Sequence, residues 1–492
     1  MTKLSLATLK EVSATAAIPG YDRSSLVAGI VHFGVGNFHR AHQAVYLDDL
    51  FNLGHDHDWA IVGAGVLPSD AAMREKLAAQ DFLTTVVEQD NNKTAARVTA
   101  PMIGILPPGD AKAIIAKLAD EAIRIVSLTI TEGGYFIDAS GKFNPSHPAI
   151  AADGQHPQEP KTVFGLIVAG LKARRDKGLL PFTVMSCDNI PHNGGVTLAA
   201  VVGTAQLSDP AFADWIKANV SFPNGMVDRI TPATGAREID LLRDNFQIED
   251  NWPVYCEEFK QWVLEDKFPL GRPALEKVGV TFVDNVAPYE HMKIRILNGG
   301  HAAIAYPAAL MDIHFVHDAM GDPLIRAFLA KLENEEIIPI VPPVPNTSLK
   351  DYFQLIERRL LNPKIADTVP RLAQDGSNRQ PKFILPSTAD RLARNEDVIG
   401  LALVSALWCR YFAGTTDSGK EIVFNDASAD RLHAAALKAK TDPAAFLAFD
   451  DIFGTVAKSD LFAKRFAHAL KTLWAKGTRE TLQLYLDDKL AE

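Results

Sequence analysis

Cysteine is scarce in this chain: Cys187, Cys256 and Cys409 are the only three among 492 residues. They lie far apart without metal-ligand spacing, which excludes a disulfide framework and fits reduced thiols. Long apolar runs are missing as well. The longest, Val398–Cys409, is too short to span a bilayer and is followed by Arg410. Lys10 and Glu11 break the first apolar residues too early for a signal peptide, so a soluble, cytoplasmic protein is expected. No basic block occurs, and a net charge of −10 with a pI near 5.8 excludes nucleic acid and anionic membrane as partners. Internal repeats, low-complexity tracts and heptad runs are also absent.

What remains is a chain long enough for a large core in two or three domains. Short β-branched runs at Val27–Phe33, Trp59–Gly63, Ile123–Ile130 and Phe182–Met185 read as buried parallel strands. Helical patterns at Ala111–Leu118 and Thr162–Arg174 lie between them, so right-handed βαβ units in a doubly wound sheet are expected. Val254–Leu264 has a mixed pattern, and Val278–Val283 reads as one more strand. After Tyr289 the spacing turns helical, at Leu324–Leu332, Leu349–Leu361, Val398–Phe412, Ala429–Lys440 and Leu461–Trp474. The fold expected is α/β, with a Rossmann-type N-terminal domain over 1–287 and a predominantly α-helical domain over 288–492.

The most polar of the apolar segments is Tyr289–His301, Tyr-Glu-His-Met-Lys-Ile-Arg-Ile-Leu-Asn-Gly-Gly-His. As an α-helix at about 100° per residue, it would set Glu290, Lys293, Asn298 and His301 on an arc of roughly 140°. Gly299 and Gly300 each cost such a helix about 1 kcal/mol relative to Ala, which suggests close approach of something to the backbone. A snorkelling Lys and a satisfied core His are the plain alternative.

Ile30–Arg40 follows a strand and opens a helix, the context of a dinucleotide fingerprint. Gly34 permits the tight turn and Gly36 lets the backbone approach a pyrophosphate, with Asn37, Phe38 and Arg40 beside it. His39 stands where the third glycine belongs. Beyond the second strand, Asp70 is the candidate to accept from the ribose hydroxyls, with Ser69 next to it; a helix cap is the alternative use of both. Thr129–Tyr135, with Thr131 and Glu132, ends another strand on the nicotinamide side.

Two further segments carry polar groups: Ser186-Cys-Asp-Asn-Ile-Pro-His-Asn193 and Val227-Asp-Arg-Ile-Thr-Pro232. Together with Gly34–Gln43, Thr129–Tyr135 and Glu290–His301, they identify a resemblance to the polyol-specific long-chain dehydrogenase family over essentially the whole chain. The resemblance implies zinc-independent hydride transfer between NAD(H) and an open-chain sugar alcohol or ketose, such as D-mannitol and D-fructose, with no metal. By position it makes Lys293 the general acid–base. Asn189 and Asn298 hold the reacting oxygen, His301 orients substrate, and Glu290 moves the proton between Lys293 and solvent. Asp228, Arg371, Arg379 and Lys382 match substrate-site positions. Arg379 replaces a lysine and Ser69 replaces an acid. The resemblance favours a monomer.

The chemistry is consistent with those roles. Oxidising a secondary alcohol needs a base for the hydroxyl proton, and a Lys serves only when neutral, which requires a fall from about 10.4 through burial. Amide donors steady a developing alkoxide without adding charge. Three other readings compete. Metal-dependent dehydrogenation would use His39, His42, His55, His57 or Cys187, none of which has catalytic-zinc spacing. A non-catalytic NAD-binding regulator would need the nucleotide site alone. A hexuronate reductase of the same family, acting on fructuronate or mannonate, would use Arg371, Arg379 and Lys382 on a carboxylate.

Overall fold

The computed structural model describes residues 1–138 and 141–491, which fall into two compact units, Met1–Ala287 and Pro288–Glu492. The first is built on a five-stranded sheet: β1 (Ala28–Phe33), β2 (Ala60–Ala64), β3 (Met102–Ile105), β4 (Ile125–Leu128) and β5 (Thr183–Ser186), in the order β3-β2-β1-β4-β5. Every neighbouring pair is parallel. β1, β2, β4 and β5 are buried along their whole length and mostly apolar, with both faces covered. Val31 and Phe33 of β1 enter one core with Val126, Phe164, Ile167 and Val184. Ile30 enters the opposite core with Leu47, Leu50, Phe51 and Trp262. A fully buried side chain of this size contributes about 1.5–3 kcal/mol, so a one-residue slip of β1 would exchange its partners on both faces.

The connections run through helices α1 (Asn37–Ala41), α2 (Pro68–Ala78), α3 (Ala111–Leu118), α4 (Val163–Asp176) and α5 (Asn193–Gln206). Two small sheets flank this core. Thr84–Gln89 pairs antiparallel with Thr94–Thr99 and parallel with Val254–Glu257. Gln261–Glu265 pairs antiparallel with Gly225–Asp228 and parallel with Thr281–Val283. The mixed pattern of Val254–Leu264 therefore resolves into two short strands in different sheets. Residues 94–99, read Thr-Ala-Ala-Arg-Val-Thr, carry too little apolar alternation to be seen as a strand in the sequence.

The second unit is helical. Its central element, α6 (Gly299–Leu310), packs on α7 (Pro323–Leu332), Val369–Ala373, α8 (Gly376–Phe383) and α9 (Ile399–Phe412). The long α10 (Asp460–Leu486), interrupted at Gly477, covers α9. The expected α-helix over Tyr289–His301 needs correction. Ala287–Met292 is α-helical, Lys293–Asn298 is a π-helical turn, and α-helix resumes at Gly299. The amide of Gly299 donates to the carbonyl of Ile294, a five-residue step. The glycine pair faces close neighbours: a methyl on Gly299 would come 3.3 Å from the Phe383 carbonyl oxygen, and one on Gly300 would come 3.4 Å from Glu333 Oε1.

Glu333 is itself unusual. It is 0% exposed, and neither carboxylate oxygen has a hydrogen-bond partner among the described residues. Burial pushes its carboxyl well above the usual range. The folded state thus favours the protonated acid, and its stabilising contribution is complete below the unfolded value of about 4.3 and lost as pH rises through the folded value. Replacing Glu333 with Gln should therefore raise Tm by about 3–6 °C at pH 8 and by much less at pH 5. Equal Tm differences at the two pH values, measured by calorimetry, would count against a protonated Glu333.

Candidate active site

Of the five loops that leave the C-terminal edge of the parallel sheet, the edge at which doubly wound sheets form their ligand crevice, those after β1, β2, β4 and β5 carry the candidate residues. After β1, Gly34 adopts φ +89°, and a methyl there would lie 2.0 Å from the Thr129 carbonyl oxygen. Thr129 Oγ1 in turn donates to the Gly34 carbonyl at 2.6 Å. Gly36 meets nothing closer than 3.8 Å, so its backbone is the open part of the turn. The side chains that follow turn inward. Asn37 donates to the Pro232 carbonyl and Thr234 Oγ1, and accepts from Arg40 and Trp252. Arg40 is buried and bonds the Trp252 carbonyl and Asn37. These two side chains brace the loop from behind rather than reach outward from it. Phe38 stacks on His42 at 4.8 Å.

The place of the missing third glycine is taken by a buried ring stack. His39 lies face to face with His32, centroids 3.4 Å apart. Burial pushes His39 well below the usual histidine range and His32 down to about 3, so both rings are neutral. His32 Nδ1 bonds Ser127 Oγ at 2.7 Å and its Nε2 bonds Thr129 Oγ1 at 2.9 Å. The stack thereby ties the loop after β1 to the loop after β4.

After β2, Asp70 Oδ2 accepts the Leu67 amide at 2.8 Å and folds over Gly65. That is the helix-cap use of this residue. Its other oxygen has no hydrogen-bond partner among the described residues, and Ser69 is exposed. After β4, Thr131 holds φ +62°, and Glu132 beside it is exposed. This strained loop is clamped by Asp188, which accepts from the Ile130 and Thr131 amides at 2.9 Å each and from the Tyr135 hydroxyl at 2.7 Å. Sequence reasoning missed the role of Asp188; its signal is an acid just beyond the end of a strand. Asn189 follows it and is exposed. Asp228 is buried at the end of its strand, opposite Gln261.

In the helical unit, Lys293 is 7% exposed and opens the π-turn, Asn298 closes it, and Glu290 is buried one turn before. In an α-helix a five-residue step rotates by about 500°, leaving Lys293 and Asn298 roughly 140° apart. The wider π-turn reduces that angle and draws the two onto one side. His301 lies on α6, near enough to Asp367 to act on its charge. Asp367 also holds Arg371: Nε donates to Oδ1 at 2.5 Å, and Nη2 bonds Oδ2. Arg379 Nη1 donates to the carbonyls of Leu372 at 2.8 Å and Arg371 at 3.2 Å. Lys382 is exposed on α8. Asp367 was also missed; it lies just before the short helix Val369–Ala373 that carries Arg371.

Among the described residues, no three His, Cys, Asp or Glu side chains gather to hold a metal ion. His57 bonds the Phe51 carbonyl, His55 lies beside Lys277, and burial pushes the Cys187 thiol up. Also among the described residues, no helix is long and apolar enough to cross a membrane.

Residues 28–277 match the family described as the mannitol dehydrogenase Rossmann domain, and residues 285–474 match the mannitol dehydrogenase C-terminal domain. The chain belongs to the mannitol dehydrogenase family. Among its relatives, mannitol 2-dehydrogenase of Cereibacter sphaeroides is 60% identical over 95% of this chain and 98% of its own. The solved ternary complex of Pseudomonas fluorescens mannitol 2-dehydrogenase with NAD and D-mannitol is 43% identical. It covers 99% of this chain and 100% of its own, with a TM-score of 0.87. A substrate-free D-sorbitol dehydrogenase is 35% identical over 97% of this chain and 100% of its own, with a TM-score of 0.90.

Within this member of the family, the Asp188 clamp makes a direct prediction. Asp188→Ala removes three hydrogen bonds from one loop, and each charge-assisted bond is worth about 1.5–3 kcal/mol. Amide exchange at Ile130 and Thr131 should accelerate by at least ~10²-fold while exchange in β4 stays slow. Unchanged protection at both amides would show that the loop is held by something else.

Proposed function

We propose that this chain is an NAD-dependent polyol 2-dehydrogenase that interconverts D-mannitol and D-fructose, with Lys293 as its general acid–base and no metal. The observation that carries this reading is the buried Lys293 joined to Asn298 by one π-turn, since such turns recur at functional sites. Whole-length similarity to a mannitol 2-dehydrogenase solved with NAD and D-mannitol supports the substrate and cofactor.

Residues 1–287 form the NAD-binding part in this account. The open backbone at Gly36, the strained turn at Gly34 and the Thr131 loop suit a pyrophosphate and the nicotinamide half. Asp70 keeps one carboxylate oxygen for the ribose hydroxyls, and its negative charge disfavours a 2′-phosphate. NAD held there would supply the hydride acceptor for oxidation and, as NADH, the hydride donor for reduction.

The chain itself handles the proton and the oxygen. In oxidation, the neutral amine of Lys293 takes the hydroxyl proton; in reduction, its ammonium gives that proton to the ketone oxygen. The side-chain amides of Asn189 and Asn298 donate to the oxygen as negative charge develops, each worth roughly 3 kcal/mol by analogy with other oxyanion sites. Glu290, buried one turn before Lys293, passes the proton toward solvent. His301, Asp228, Arg371, Arg379 and Lys382 orient the polyol chain. Arg379 does so partly through its carbonyl contacts, which hold the segment bearing Arg371.

Two substitutions test this account. Lys293→Ala should lower kcat in both directions by at least ~10²-fold while NADH binds within about twofold of wild type; unchanged turnover would sink the Lys assignment. Asp70→Ala should reduce the preference for NAD over NADP by on the order of tenfold. An unaltered ratio would leave Asp70 as a helix cap only. Activity with mannitol should also survive exhaustive chelation.

A further inference from the structure

Two cations proposed for the substrate site of the helical unit, Arg371 and Arg379, are engaged by protein groups. Arg371 offers a carboxylate its Nε/Nη2 edge, the fork that grips two oxygens at once, but Asp367 already occupies that edge. The pair is fixed from the backbone. The Val316 amide donates to the Asp367 carbonyl at 2.9 Å, the Val369 amide donates to the His314 carbonyl at 2.8 Å, and Thr368 bridges Phe315. The Asp367 side chain is 10% exposed and that of Arg371 is 50% exposed, so the guanidinium faces outward while its counter-charge lies beneath. Burial alone would push the Asp367 carboxyl up. The hydrogen bonds and charge of Arg371, with His301 adding to them, hold it below the usual range instead, so it is ionised at neutral pH.

Given the polyol reading above, we infer that Asp367 is a specificity-determining positioning residue: it cancels the charge of Arg371 and selects neutral polyols and ketoses against substrates bearing a carboxylate. Arg371 keeps Nη1, with no protein partner among the described residues, as a donor to a hydroxyl oxygen. A substrate carboxylate at the same place finds the fork filled and meets the negative charge of Asp367 behind it. A neutral hydroxyl has neither difficulty. Nearby, Arg379 Nη1 is engaged by two carbonyls, so it adds no open fork on that nitrogen.

The test compares D-fructose with D-fructuronate, the corresponding ketose with a terminal carboxylate, as oxidants of NADH in wild type, Asp367→Asn and Asp367→Glu. Wild type should favour fructose. In Asp367→Asn the ratio of kcat/KM for fructuronate to that for fructose should rise by on the order of tenfold or more. Asp367→Glu, which keeps the charge, should return the ratio toward wild type. If Asp367→Asn lowers kcat/KM for both substrates equally, Asp367 is only structural and the inference falls. Wild-type preference for fructuronate also overturns it, and inactivity of wild type on both substrates overturns the polyol reading along with it. Should Asp367→Asn fail to fold, wild type supplies the second arm. There fructuronate should compete with fructose with a Ki at least ~10-fold above the fructose KM. A Ki below that KM contradicts the inference.

Discussion

A five-residue backbone step between Lys293 and Asn298 is the constraint on which the proposed chemistry depends. A lysine can take a proton from an alcohol only as a free amine, and the alkoxide it creates needs a donor close by. An ordinary α-helix would set these two side chains on opposite edges of a wide arc. One π-turn draws them together, and its irregular hydrogen bonding is supported from outside. The Phe383 carbonyl and the Glu333 carboxyl lie against the two glycines that end the turn. Gly299 and Gly300 thus have a packing reason as well as a helical cost, and a β-carbon at Gly299 would press on the backbone of α8.

Charge is handled in the same economical manner throughout the molecule. The histidines beneath the first loop, His32 and His39, are neutral and act as stacking and hydrogen-bonding plates. Asp188 is buried, and three donors in one loop use its carboxylate. Arg371 is half exposed and paired. In each unit these groups are neutral or compensated by their own neighbours, which suits the proposed substrate made of hydroxyl groups. A sugar alcohol is bound by direction of hydrogen bonds, and an open ionic fork would favour an acid over it.

Four of the five strands of the central sheet were legible because parallel strands buried on both faces read as continuous apolar runs; Met102–Ile105, four residues long and half-buried at its centre on the sheet edge, was not. Five helices of the second unit were legible from apolar residues at helical spacing, whereas the short Val316–Gly321 and the polar Gly376–Phe383 were not. The short strands at 84–89 and 94–99 were not, since Thr, Glu, Gln and Arg occupy positions that only a neighbouring sheet edge makes strand-like. The π-turn could not be seen either: Lys-Ile-Arg-Ile-Leu-Asn has nothing that distinguishes a five-residue from a four-residue step. Among candidate site residues, the glycines of the first loop and the Lys-Asn-His helix could be named from residue type and position. Asn37 and Arg40 show the limit of that method. Both sit in the expected loop, yet their side chains brace it from inside. Asp188 and Asp367 escaped notice because each acts on another residue rather than on a ligand.

The central claim is that the Lys293 amine itself carries the proton. Chemical rescue tests it most directly. Lys293→Ala should regain mannitol oxidation when small primary amines such as ethylamine are added, with the rate rising with amine concentration and with amine basicity. A variant that binds NADH and mannitol but shows no recovery with any amine would contradict the account.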